Sequence, residues 1–115
     1  MTKINDTQFA LLWGEALATA DRDTYISEWA TSSLFLDPED EGDIPAELIE
    51  WLSQLWDVAH MSLPKIRATT GLSQNKMADR FCIPRRTLQN WEQRGTCPDY
   101  TRLMMAEILG LIKGE

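Results

Sequence analysis

The stretch LSQNKMADRFCIPRRTLQNWEQRG, residues 72–95, decides the fold, because it predicts two short helices separated by a tight break. Ser73 is a good N-cap for the first helix, since its hydroxyl can accept a free backbone N–H of the first turn. The apolar residues that follow have the spacing of one buried helical face: Met77, Ala78 and Phe81. Cys82 then interrupts this spacing, so the first helix is expected to end there.

The second helix is predicted over residues 84–94, where Pro84 supplies a φ suited to a first helical turn. Leu88 and Trp91 lie three residues apart and are expected to bury the inner side of this helix. The outer side is left with side chains that can reach base edges or phosphates: Arg85, Arg86, Gln89 and Asn90.

These residues, GLSQNKMADRF at 71–81 and IPRRTLQNWEQ at 83–93, resemble the helix-turn-helix of the Xre/Cro phage-repressor family. With its flanking helices the resemblance covers about 62–113 and implies a lambda-repressor-like domain. The family usually has Gly where this chain has Cys82, because left-handed backbone there makes a Cβ costly. The Gly that commonly follows the W-E-x triplet is displaced here by Arg94.

The resemblance implies double-stranded DNA as the partner, with Arg85, Arg86 and Asn90 facing the major groove. Arginine can bond bidentately to guanine, and asparagine suits adenine. We therefore expect Arg85, Arg86, Gln89 and Asn90 to read bases. Contacts to the DNA backbone, which fix register without reading sequence, are expected from a second group: Gln74, Lys65, Arg67, Lys76, Arg80 and Arg94.

The net charge of −7 is unevenly distributed along the chain. Residues 1–60 carry two basic and thirteen acidic side chains, a net charge of −11, whereas residues 61–115 carry nine basic and five acidic, a net charge of +4. A local basic field governs contact with phosphates. The distribution predicts an acidic helical region at 1–61 and a DNA-binding domain at 62–115.

Helical periodicity and capping residues predict an all-α protein. In the N-terminal half, helices are expected at about 7–20, 24–32 and 45–61, with Asp6, Asp23 and Asp43 as N-caps. The segment DPEDEGDIP at 37–45 is predicted to be a solvated loop. In the C-terminal half, Ser62 is expected to cap a helix at 63–70, and a closing helix is expected near 99–112. The apolar residues of that closing helix are Tyr100, Leu103, Met104, Ile108, Leu111 and Ile112.

The helix predicted at 45–61 has a broad apolar surface that includes Trp51 and Trp56. These two residues lie five apart, about 140° around a helix, so one face is not expected to bury both. We predict that one of them forms a subunit or partner contact, with the closing helix as the next candidate. A homodimer reading an inverted repeat is expected, because one half-site offers too few readers for useful specificity.

Catalytic, metal and membrane roles receive no support from the sequence. One histidine and no Gly-rich phosphate loop provide no nucleophile–base set, so neither enzyme activity nor a cofactor is expected. Cys82 and Cys97 lack partners at zinc spacing and fit reduced thiols in a cytoplasm. No apolar run approaches the ~18 residues of a membrane helix. The N-terminal segment MTKINDTQF has no apolar signal core, so we predict a cytoplasmic protein.

The sequence thus predicts a sequence-specific transcriptional regulator, a dimeric repressor. Two alternatives remain. One is an antitoxin that neutralises a toxin with residues 1–61 and regulates its own synthesis through the DNA-binding half. The other is an inhibitory protein with an acidic, DNA-like surface, which rests only on the charge of residues 1–60.

Overall fold

The computed structural model describes residues 4–35 and 44–112, and every regular element in these ranges is an α-helix. The helices are α1 Asp6–Ala18, α2 Arg22–Ala30, α3 Ala46–Ala59, α4 Leu63–Ala68, α5 Gln74–Arg80, α6 Arg85–Arg94 and α7 Asp99–Leu109. The all-α prediction is confirmed. Asp43, predicted as a cap, and most of the loop predicted at 37–45 lie outside the described residues. None of the helices in the described ranges has the length and apolar character needed to cross a membrane.

The chain divides into two compact units, Met1–His60 with Ile112–Glu115, and Met61–Leu111. The sequence places the division after residue 61, but Met61 packs against the core of the second unit. Ile112, predicted within the closing helix, is buried and groups with the first unit.

The first unit is a three-helix assembly in which α3 contacts both α1 and α2. Its core is formed by Leu12, Trp13, Ala16, Tyr25, Ala30, Leu48, Trp51, Leu52, Leu55, Val58 and Ala59. Tyr25 is fully buried, and its hydroxyl donates a hydrogen bond of 2.9 Å to the carbonyl oxygen of Leu12. Burial raises the pKa of Tyr25 above its usual value. The phenol therefore joins α1 to α2 without leaving a buried polar group unpaired.

Trp51 lies inside this core, with a side chain only 5% exposed. Phe9 and Phe35 approach its ring edge-on, at centroid distances of 6.0 and 6.5 Å. Trp51 therefore serves the core of its own unit, which leaves Trp56 as the tryptophan available for the predicted subunit or partner contact. Because α3 packs against both α1 and α2, most of the apolar surface that seemed too broad for one neighbour is covered within the chain, and Ile49 remains 40% exposed.

Trp56, which also belongs to α3, is half-buried. Its indole N–H donates to the carbonyl oxygen of Thr19 at 2.9 Å, and its ring stacks on His60 with centroids 4.0 Å apart. The ring thus serves contacts within its own unit, and only part of it remains for the partner contact that the sequence predicts.

Two helices begin one or two residues earlier than predicted. Asn5, not Asp6, caps α1, because its side chain and that of Gln8 bond reciprocally to each other's backbone N–H groups. Asp21, not Asp23, caps α2 by accepting the backbone N–H three residues further on. In both cases the earlier residue satisfies a free donor of the first turn.

The second unit is organised around a core of Leu63, Ile66, Met77, Ala78, Leu88 and Met105. Ser62 caps α4 as predicted. This helix contacts both α6 and α7, while α5 packs on α6.

The closing helix α7 buries Thr101, Met105 and Ala106. The apolar side chains of Tyr100, Met104 and Ile108 point outward and are 64%, 55% and 57% exposed. The helix also ends at residue 109, because Gly110 adopts a left-handed φ of 76°.

Candidate nucleic-acid interface

The helices α5 and α6 are joined by a tight four-residue connection. Ser73 caps α5 as predicted, and Pro84 is the N-cap residue of α6, so that helix begins at Arg85. Between them Cys82 has a φ of 55°, the one positive φ among the described non-glycine residues. The backbone N–H of Ile83 donates to the carbonyl oxygen of Ala78 at 2.9 Å and closes the turn. The left-handed turn expected from the resemblance is therefore present, with a cysteine in it.

Replacing Cys82 by glycine is expected to raise the free energy of unfolding by an amount on the order of 1 kcal/mol. The Cys82 side chain is exposed, so little packing is lost, whereas the strain of a Cβ in a left-handed conformation is removed. Urea denaturation of the reduced protein measures the change. Cys82→Ala is the matched control, because it removes the thiol but keeps the Cβ and should leave stability nearly unchanged. Equal behaviour of the two variants would contradict a strained turn.

The helix α6 separates its side chains into a buried and an exposed side. Leu88 is 1% exposed, and Trp91 is half-buried against the same core. The four predicted base readers are all exposed: Arg85, Arg86, Gln89 and Asn90. Arg85 and Gln89 lie four residues apart, as do Arg86 and Asn90, so each pair lies one turn apart on the outer side.

The C-terminal part of α6 forms a surface cleft with the loop that follows. Arg94 is the last helical residue, and Gly95, with a φ of 70°, ends the helix by donating to the carbonyl oxygen of Trp91 at 2.9 Å. The cleft has a volume of about 410 Å³ and is lined by Thr87, Asn90, Trp91, Arg94, Thr96, Cys97 and Pro98. It brings a predicted base reader, Asn90, beside a predicted backbone contact, Arg94.

Arg67 has a structural role that the sequence did not indicate. Its Nη2 and Nε atoms donate to the carboxylate of Glu92 at 2.9 and 3.2 Å, and Nη1 donates to the carbonyl oxygen of Leu72 at 3.3 Å. The Glu92 side chain is only 6% exposed. The guanidinium of Arg67 thus joins α4 to α6 and neutralises a buried carboxylate. The contact of Arg67 with the DNA backbone stays a prediction.

Arg85 forms the second ion pair of this region. Its Nη2 lies 2.9 Å from Oδ2 of Asp79 and its Nε lies 3.3 Å from Oδ1, so the two groups are joined side by side. Both side chains are more than half exposed, at 57% and 59%. The hydrogen bonds from Arg85 lower the pKa of Asp79, and those to Asp79 raise the pKa of Arg85.

The remaining cations of residues 62–94 are exposed and form no ion pair within the described part of the chain. They are Lys65, Lys76, Arg80, Arg86 and Arg94. Gln74, the first residue of α5, is half-buried. Since the two acids of this segment are already paired with Arg67 and Arg85, the positive charge of these five side chains is uncompensated locally.

The sequence did not indicate that two acidic residues of this region hold arginine side chains. Asp79 and Glu92 count in the sequence only as acids that reduce the local positive charge, yet each accepts hydrogen bonds from one arginine. The sequence offered one indication of these roles, namely that only two acids occur among the seven basic residues of 62–94. Each acid therefore has several potential partners. Choosing the partner requires the three-dimensional arrangement.

Within residues 4–35 and 44–112, no group of three or more His, Cys, Asp or Glu side chains is placed to hold a metal ion. The histidine of the first unit, His60, has its Nε2 atom 2.7 Å from the carbonyl oxygen of Ala16, so this ring nitrogen is engaged with the protein backbone. Known protein families, curated proteins and solved structures were all compared with the chain, and none of them matches it.

Proposed function

We propose that this protein is a transcriptional regulator whose second unit binds double-stranded DNA sequence-specifically and represses by occupying its site. The observation that carries the proposal is the outer side of α6. It exposes Arg85, Arg86, Gln89 and Asn90 while Leu88 anchors the helix to the core. Five uncompensated cations belong to the same unit, so polar readers and a positive field occur together.

The proposed mechanism divides these side chains by the part of DNA they contact. An α-helix fits the major groove, where arginine pairs with guanine O6 and N7 and asparagine with adenine N6 and N7. Arg86 and Asn90 are suited to that role. The lysines and the other free arginines neutralise phosphates and release counterions, which supplies affinity without sequence preference.

Selection from random duplex DNA, followed by salt titration of the selected sites, tests the proposal. We expect an enriched motif with half-sites whose centres lie about 10 bp apart, or a multiple of that. If Lys65, Lys76, Arg80 and Arg94 all contact phosphates, log K should fall with log salt concentration with a slope of about −4 per protomer. Absence of any enriched motif under low-salt conditions would contradict the proposed function.

Dimerisation is assigned to α7 in place of the tryptophans of α3. Tyr100, Met104 and Ile108 follow one another at intervals of four residues, so they form one exposed apolar stripe on the second unit. A second copy is the proposed occupant, because a stripe along one helix is self-complementary under two-fold symmetry. The same symmetry would present two α6 helices to an inverted repeat.

Met104→Glu and Ile108→Glu are each expected to weaken the dimer at least tenfold, since two copies of the new charge would face each other across an apolar contact. Analytical ultracentrifugation measures the dimer dissociation constant. Leu11→Glu is the control, because Leu11 is 47% exposed on α1 of the first unit. A wild-type protein that stays monomeric at micromolar concentration, or equal effects of all three substitutions, would contradict this assignment.

An antitoxin is the second candidate function, and the division of the chain favours it. The acidic N-terminal half has its own helical core, as a separate partner-binding module requires. Co-expression with the product of any adjacent small reading frame tests this role. Relief of growth arrest that requires only residues of the first unit would support the antitoxin, whereas an adjacent gene without toxicity would oppose it.

A further inference from the structure

We propose that Asp79 is a positioning residue that holds the guanidinium of Arg85 ready to read a guanine. This inference rests on the proposed DNA-binding function and deepens it, because it assigns a role in specificity to a residue that itself carries the wrong charge for DNA. The alternative arrangement, in which Asp79 only repels phosphate or competes with DNA for Arg85, makes different predictions.

Asp79 occupies one edge of the Arg85 guanidinium. An arginine side chain has five N–H donors in a fixed planar fork. Asp79 takes the edge formed by Nε and Nη2, at 3.3 and 2.9 Å. The two N–H groups of Nη1 and the second N–H of Nη2 remain, and these form the end of the fork. That end carries two parallel donors, which is the arrangement that guanine O6 and N7 accept.

The Asp79–Arg85 pair lies at the junction between α5 and α6. Asp79 belongs to α5 and Arg85 is the first residue of α6, so the ion pair spans the turn at Cys82. Both side chains are more than half exposed, at 59% and 57%, so the free end of the guanidinium is open to solvent. Asp79 therefore restrains Arg85 from the side of α5 without burying the donors that a base would need.

The restraint on Arg85 also affects the free energy of DNA binding. An unrestrained exposed arginine must lose rotamer freedom when it binds a base, and this loss weakens the specific complex. Arg85 has lost part of that freedom before DNA arrives, because both ends of its bond to Asp79 are fixed to helices of the same unit. An aspartate is ionised at neutral pH, and the hydrogen bonds from Arg85 lower the pKa of Asp79 further, so the restraint persists under the conditions of binding.

The substitution that tests this inference is Asp79→Ala. The affinity of the whole chain is measured for the selected site and for the same site with one guanine changed. We expect discrimination at one base position to fall on the order of fivefold. Affinity for unrelated DNA should rise at the same time, because a negative charge near phosphates has been removed. Reduced base discrimination together with higher affinity for unrelated DNA indicates positioning. A merely structural role would instead lower affinity for the selected site and for unrelated DNA together.

Two control variants complete the experiment. Asp99→Ala removes an acid of similar exposure, 58%, that is paired with Arg102 on α7, and it should leave base discrimination unchanged. In an Arg85→Ala background, Asp79→Ala should also have no further effect on discrimination at that position. Thermal unfolding of every variant separates these effects from loss of fold, since an exposed ion pair contributes little to stability.

Three outcomes would overturn the inference. A uniform rise in affinity with unchanged base preference would mean that Asp79 only repels DNA. Sharper preference in Asp79→Ala would mean that Asp79 competes with the base for Arg85. A loss of preference that persists without Arg85 would place the effect elsewhere. Failure of the proposed function is distinguishable, because the wild-type protein would then show no preferred site at all.

Discussion

Arg67→Ala is expected to lower the free energy of unfolding by about 2–3 kcal/mol. The substitution leaves the carboxylate of Glu92, 6% exposed, without its guanidinium partner, and breaking a buried pair in this way costs several kcal/mol. The 28% exposure of Arg67 lets water compensate in part, which places the expected value at the lower end. The carbonyl oxygen of Leu72 also loses a donor. Urea denaturation followed by circular dichroism measures the change.

The matched control is Arg85→Ala, which breaks an ion pair of the same type in the same unit. That pair is more than half exposed on both sides and screened by water, so its loss should cost much less stability than the loss of the Arg67–Glu92 pair. The double variant Arg67→Met, Glu92→Leu should recover most of the lost stability, because it removes the buried charge together with its partner. If Arg67→Ala were no less stable than Arg85→Ala, the bridge from α4 to α6 would not support the fold.

Arg85→Ala and Arg86→Ala are each expected to weaken binding to the selected DNA site by roughly tenfold to a hundredfold, the equivalent of ~1–3 kcal/mol for one bidentate base contact. At least one of them should also relax the preference at a single base position. Both side chains are exposed on the outer side of α6, so the substitutions should leave the core of the second unit intact. Fluorescence anisotropy with a panel of single-base variants measures both quantities.

Lys76→Ala provides the comparison, since Lys76 is exposed on α5 without an ion pair in the described residues. It should weaken binding to all sequences by about the same factor and reduce the salt slope by roughly one. If both arginine variants behaved like Lys76→Ala, Arg85 and Arg86 would contact only phosphates. The assignment of base reading to α6 would then be wrong, although DNA binding itself would stand.

The sequence by itself determined the helical character of the chain and much of its local structure. Ser62 and Ser73 cap helices as predicted, because a cap depends on a hydroxyl and a backbone N–H only three residues away. The left-handed turn at Cys82 was expected from the resemblance to the helix-turn-helix family. The outward side of α6 was predictable because Leu88 and Trp91 define its inner side.

Tertiary structure alone decided which apolar faces and which charged groups have partners. Periodicity showed that α3 has a broad apolar surface, but only the packing of α1 and α2 on its two sides buried Trp51. Tyr100, Met104 and Ile108 share a helical face that the sequence could not distinguish from the buried one. The same holds for charge, since Arg67 reaches Glu92 from 25 residues away, and local pattern contains no information about such distant pairs.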